Sequence, residues 1–405
     1  MSSFDETVRG YLKPVLQFLD DPAITEVMIN GPVEVWVEKG GRLFLTPAAF
    51  TEEGLSAAAK NIAQFVGRVL SNERPRLDAR LPDGSRIHVI LPPVSRKGTC
   101  IAIRKFFPRN LTMDDLIGFG TLDAGMAEFL ERAVRGKITC IVAGGTSSGK
   151  TTLLNILARA IPDHERIVTI EDAAELRIDK PHVVPLETRP PDAHGKGGIN
   201  IRDLLHSSLR LRPDRIIIGE VRGPEAFDLV QALNTGHGGS MCTTHANAPV
   251  SALRRIESLC LMSEVDLPLT AVRAQVASAI DVVICCARLP DGTRKLTHVA
   301  EVLPLDEKGE YRTRDLFRFE VEGRTPEGAI GGRFVMAGGE PVFAARIKAA
   351  YLTDVEEHEI EEVEPVGDGA EEPVDLGPEE ISVVEPIERV ERTAVTRKTR
   401  PPHRQ

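Results

Sequence analysis

The chain has 405 residues, 42% of them hydrophobic, with six cysteines and a formal net charge of −10. That length holds two or three domains, and the apolar fraction suits ordinary globular cores, which excludes a chain disordered throughout. No CxxC pair occurs, no window approaches eighteen uninterrupted apolar residues, and MSSFDETVRG lacks a basic stretch ahead of an apolar run; a disulfide scaffold, a spanning helix and a secretory signal are set aside, and reduced cytosolic thiols are expected. The acidity is local. Residues 354–388 hold fifteen Asp or Glu and no Lys or Arg, and residues 389–405 hold six Lys or Arg against one Glu, so residues 1–353 carry no net charge. A neutral body with 4% aromatic residues gives little support to nucleic-acid binding.

Residues 4–19 carry Phe4, Val8, Tyr11, Leu12, Val15, Leu16 and Leu19 at helical spacing, with Pro14 interrupting. VEVWVEKGGRLFL then alternates and turns at Gly40-Gly41, a hairpin signature. A helix is expected from about Glu52 to Leu70, followed by strand, turn and strand in RLDARLPDGSRIHVIL and a further strand in TCIAIRKF. Residues 1–105 therefore read as an α+β N-terminal domain, and 106–122 as a linker. Beyond it strand and helix alternate, as in a mostly parallel sheet: helix Ala124–Arg135, strand Ile138–Ala143, a glycine loop and a helix, then strands at Ile167–Ile170, Val183–Leu186, Ile216–Ile218, Met241–Thr244 and Val282–Cys286. Residues 298–345 look like short β pieces joined by Gly-rich turns, closing a second domain over 123–350. Residues 351–405 read as a disordered tail, acidic and then basic.

The strongest chemical signal is CIVAGGTSSGKTTLLNIL. Gly144, Gly145, Thr146, Ser147, Ser148, Gly149, Lys150 and Thr151 match G-x-x-x-x-G-K-[ST] between an apolar strand and a helix, with Thr152 following. Such a loop wraps phosphate with backbone N–H groups, Lys150 reaches the β and γ phosphates, and Thr151 ligates Mg²⁺. Hydrolysis also needs carboxylates near metal and water. Glu220 follows the strand in RPDRIIIGEVRG, and Glu171, Asp172 and Glu175 follow the strand in IVTIEDAAEL. In TGHGGSMCTTHANAP, His237, Cys242 and His245 are competent zinc ligands, but a structural zinc wants four at recognisable spacing.

GGTSSGKTT, TIEDAAEL, RPDRIIIGEVRGPEA and TGHGGSMCTTHAN resemble, in order and type, the Walker A, Asp box, Walker B and His box of the type II/type IV secretion superfamily ATPases. LPDGSRIHVILPPVSRKGTCIAIRKF looks most like the CpaF branch, which drives Tad/Flp pili. The resemblance covers roughly residues 20–305. It implies a RecA-like P-loop ATPase domain with a mostly parallel sheet behind a smaller α+β domain, a homo-hexameric ring using ATP and Mg²⁺, and an integral inner-membrane platform as partner at the cytoplasmic face. It further implies that Glu171 polarises the attacking water, that Glu220 joins Thr151 in holding Mg²⁺, and that His237 and His245 stand near the γ-phosphate, His245 as a neutral sensor. Arg104 matches an N-terminal-domain position that reaches the nucleotide; Arg189, Arg202, Arg210 and Arg212 are candidates for reaching across a subunit boundary. Type II secretion ATPases commonly carry a tetracysteine zinc module, so the missing CxxC points to the CpaF or type IV branch. A nucleic-acid-dependent motor, a type IV secretion traffic ATPase and a non-hydrolysing scaffold are the alternatives.

Overall fold

The computed structural model describes residues 8–353, apart from 82, 106–110, 192–195 and 326–327. Of the tail expected over 351–405, residues 351–353 belong to the helix Ala344–Thr353, and 354 onward lies outside the described residues. Near the N-terminus Pro14, which cannot donate a helical N–H, sits in a 3₁₀ turn, Lys13–Val15, and the α-helix resumes as α1 (Leu16–Asp20).

The first sheet is wholly antiparallel. Its strands are β1 (Ile24–Asn30), β2 (Val35–Lys39), β3 (Arg42–Leu45), β4 (Arg76–Arg80), β5 (Arg86–Ile90) and β6 (Cys100–Arg104), in the order β3-β2-β1-β6-β5-β4. Helix α2 (Glu52–Phe65), capped by the Thr51 hydroxyl accepting from Gly54 N at 3.0 Å, packs Leu55, Ala59 and Ile62 into that sheet's core. It stops short of Leu70 because Gly67 turns the chain into the left-handed region at φ 67°. In β5 and β6 the period of two buries Ile87, Val89, Ile101 and Ile103 and turns Arg86 and Arg104 to the opposite face, where the register makes them neighbours.

The stretch read as a linker contains α3 (Met113–Gly118), closed by a capping box in which Thr112 Oγ1 accepts from Asp115 N at 3.2 Å and Thr112 N donates to Asp115 Oδ2 at 2.8 Å. Leu116 and Leu122 join the core under the second sheet, so 113–122 packs rather than merely connects.

The second sheet has nine strands. Six are parallel, in the order β12-β7-β11-β10-β8-β9: β7 (Cys140–Gly144), β8 (Ile167–Glu171), β9 (Val183–Glu187), β10 (Arg215–Ile218), β11 (Met241–Thr244) and β12 (Val282–Arg288). Helices cover both faces, which is why β7, β8, β10 and β11 are buried along their whole length. Cys140 and Val142 pack with Met126 and Leu130 of α4 (Ala124–Arg135) and Leu153 and Leu157 of α5 (Lys150–Ala158). Ile141 and Ala143 face the layer formed by α6 (Ile201–Ser208), α7 (Glu225–Asn234), α8 (Pro249–Cys260) and α9 (Leu269–Ala279). Beyond β12 the sheet turns antiparallel through β13 (Arg294–Leu303), β14 (Arg312–Arg324) and β15 (Ile330–Met336), and α10 (Ala344–Thr353) closes the described chain. These are long strands, not the short pieces expected. Their alternation is masked by charges that pair locally, such as Arg333 with Glu320 and Glu322 at 3.3 and 3.2 Å.

Candidate functional site

Because β7, β8, β10 and β11 run parallel, everything that follows them emerges at one edge. A cleft of about 250 Å³ opens there, and Arg86 and Arg104 of the six-stranded sheet form part of its lining.

The loop from β7 to α5 is shaped by three backbone requirements. A Cβ on Gly144 would overlap Cys286 O and Ser148 Oγ, and Gly149, which precedes the helix, holds φ 98°. Ser147 also lies in the left-handed region at φ 58°. Ser148 Oγ and Lys150 Nζ both donate to Gly145 O at 2.9 Å, folding the loop on itself. Thr146 to Thr152 line the cleft, and α5 directs its N-terminal N–H groups toward them. Lys150 is buried; burial lowers its pKa, with the Glu220 carboxylate pulling the other way.

Three further groups converge on the loop. Glu171, the last residue of β8, is 4% exposed, and its Oε1 accepts from Glu175 N at 2.9 Å and Leu176 N at 3.0 Å. Burial pushes its pKa up to about 7, against those two hydrogen bonds and with help from Glu175 and Glu187. Glu220, two residues past β10, accepts from Arg222 Nη2 at 2.7 Å through Oε2. Burial acts to raise its pKa, but the Arg222 hydrogen bond and charge, with His245 and Lys150, outweigh it and leave the carboxyl below its ordinary range. His245, immediately after β11, places Nε2 3.1 Å from Glu220 Oε1, off the line of a hydrogen bond, so that Oε1 is buried without a donor. Burial, and then the Lys150 charge, lower the His245 pKa, which favours the neutral ring.

Of the predicted residues, Thr146 to Thr152, Glu171, Glu220, His245 and Arg104 line this cleft. His237 does not. It precedes β11 whereas His245 follows it, so the strand carries the two histidines to opposite edges of the sheet; His237 Nδ1 instead lies 3.2 Å from Ala232 O. Cys242 is buried inside β11, and among the described residues no three His, Cys, Asp or Glu side chains gather as a metal-holding group. Nor do the four candidate arginines reach their own chain's cleft. Arg189 Nε donates to Gly197 O at 2.7 Å, Arg202 Nε to Asp228 Oδ2 at 2.7 Å, and Arg210 and Arg212 are exposed ahead of β10, at the far sheet edge.

Arg86 and Arg222 also line the cleft, and sequence reading passed over both. Arg86 Nη1 donates to Glu175 Oε1 at 2.9 Å, and Arg222 lies 3.8 Å from Asp172 as well as on Glu220. The signals existed: Arg86 occupies an outward position in the strand DGSRIHVI, and Arg222 follows Glu220 by two in GEVRG.

A model of the type II/IV secretion system protein family matches residues 10–314. The chain belongs to that family. Its relatives include a Mycobacterium tuberculosis protein named for conjugal transfer, 37% identical across 73% of this chain and 84% of that one. The VirB11 ATPase of the Brucella suis type IV secretion system, solved with sulphate, is 31% identical over 72% of this chain and 97% of its own, with a TM-score of 0.40. The pilus retraction motor PilT with bound ADP shares the fold: 18% identity, TM-score 0.50, 86% of this chain and 88% of PilT. Other relatives are named for type IV secretion, among them VirB11 of Bartonella quintana, 32% identical over 71% of this chain and 91% of its own. Among the described residues no helix is long and apolar enough to cross a membrane.

Proposed function

We propose that the chain is a Mg²⁺-dependent ATPase acting as a hexameric motor for a Tad/Flp-type pilus or a related secretion machine, docked at the cytoplasmic side of an inner-membrane platform. The observation that carries this reading is the convergence of the phosphate loop, Glu171, Glu220 and His245 on one cleft faced by Arg104 and Arg86. In it the loop N–H groups and Lys150 bind the β and γ phosphates. Glu171, with a pKa brought to about 7 by burial, accepts a proton from the attacking water, a match that suits a base working near neutrality. Neutral His245 donates or accepts at the γ-phosphate position while resting beside Glu220.

The donor set fits a hard divalent cation. Thr151 offers a hydroxyl at the helix start, and Glu220 keeps one buried oxygen without a donor. A bound Mg²⁺ would neutralise charge on the phosphate oxygens.

The absence of CxxC supports the CpaF or type IV branch over type II secretion, and the type IV relatives keep a traffic ATPase as the second reading. Native mass measurement with and without a non-hydrolysable ATP analogue tests the ring: a nucleotide-stabilised hexamer is expected, and a nucleotide-bound monomer would contradict it. Turnover raised several-fold by single-stranded DNA would favour a nucleic-acid motor instead.

A further inference from the structure

The β12–β13 hairpin carries two arginines directly opposite each other, Arg288 and Arg294. They hold different parts of the molecule. Arg294 Nε donates to Ser147 O at 3.0 Å, inside the phosphate loop, and its Cδ lies 3.5 Å from where a side chain on Gly149 would begin. Arg288 Nη1 donates to Glu38 Oε1 at 3.2 Å, and its Nη2 donates to Gly41 O, both in the β2–β3 hairpin of the six-stranded sheet. The two turns meet closely. A Cβ on Gly41 would overlap the Arg288 guanidinium, and one on Gly292 would lie 3.5 Å from Gly40 O. The β12–β13 turn is itself braced, because Asp291 accepts from Thr293 N at 3.0 Å and from Ile330 N of β15 at 2.6 Å.

Cross-strand cations repel unless each has an acceptor, and here each has its own. Arg294 steadies the carbonyl of a residue in the left-handed region, and with Arg104, Lys105 and Lys295 it lines a cavity on the side of the loop away from Glu171 and Glu220. Phosphate drawn into the loop would act on that guanidinium through the Ser147 carbonyl it holds. Any movement of Arg294 alters the field on Arg288 and so its grip on Glu38 and Gly41.

We propose that Arg294 is a positioning residue of the phosphate loop, and that the Arg288–Arg294 pair is the joint that transmits phosphate occupancy to the β2–β3 hairpin of the six-stranded sheet. This rests on reading the cleft as a nucleotide site.

The test uses the full chain, steady-state ATP turnover, and hydrogen exchange over residues 35–45 with and without a non-hydrolysable ATP analogue. Arg294→Ala should raise KM for ATP roughly tenfold with kcat changed less than about threefold, and Arg294→Lys should recover part of that loss. Arg288→Ala and the shape-preserving Glu38→Gln should keep KM within about twofold yet lose the nucleotide-dependent change in exchange over 35–45. Wild-type KM in Arg294→Ala, or an intact exchange response in both Arg288→Ala and Glu38→Gln, overturns the joint alone. A wild-type chain that binds no ATP overturns the nucleotide reading and the joint with it.

Discussion

The two edges of the parallel sheet bury the same kinds of charge and treat them differently. At the edge where the strands begin, Arg215 is 0% exposed and every contact is answered: it pairs with Glu165, donates to Gly239 O at 2.9 Å, and Glu165 also meets Lys137 at 3.5 Å. Where the strands end, Glu220 keeps one buried oxygen without a donor and Glu171 is driven up to about 7. Closed networks specify structure, whereas groups left short of partners are held ready for a ligand. On the proposed function, Arg215 at one edge and Glu171 and Glu220 at the other serve different ends.

The sharpest way to break this contrast is to remove one cation from each edge. Lys150→Ala should reduce ATP turnover by on the order of a thousandfold or more while leaving the unfolding midpoint near wild type, measured by phosphate release and urea denaturation. Arg215→Ala should do the reverse, costing about 3–5 kcal/mol of stability because buried Glu165 loses its close guanidinium and keeps only the longer Lys137 contact.

The pH dependence sharpens it further. Folding raises the Glu171 pKa from 4.5 to about 7, so between those values the native state binds more protons than the unfolded one and this group's contribution to stability falls as pH rises. Glu171→Gln should remove that slope from the stability profile, and wild-type turnover should climb through about pH 7 as the carboxylate forms. The smallest effects separate the histidines. His245→Ala should lower turnover roughly tenfold, and His237→Ala less than about twofold, in steady-state assays.

What the sequence revealed divides along similar lines. The glycine loop, the strand ends carrying Glu171 and Glu220, and helix Ala124–Arg135 were legible because each is dictated locally, by a backbone conformation or a single periodicity. Helix α3 was legible in principle through its Thr112–Asp115 cap but hidden by glycine and proline nearby. The strands β13 to β15 were obscured because charges interrupt their alternation, answered along a strand, as Arg318 by Glu320, or across it, as Arg333 by Glu320. His237 was misplaced for a topological reason: a motif fixes spacing along the chain, while a four-residue strand decides which edge each end occupies. Arg86 became visible only when the register set it beside Arg104.

On the proposed function, Glu220 stands in the cleft for hydrolysis rather than for structure. Multiple-turnover phosphate release from Mg²⁺-ATP by Glu220→Gln, set against wild type, tests it most directly. Turnover should fall roughly a hundredfold or more with nucleotide binding retained; wild-type phosphate release from the variant would assign Glu220 to structure instead.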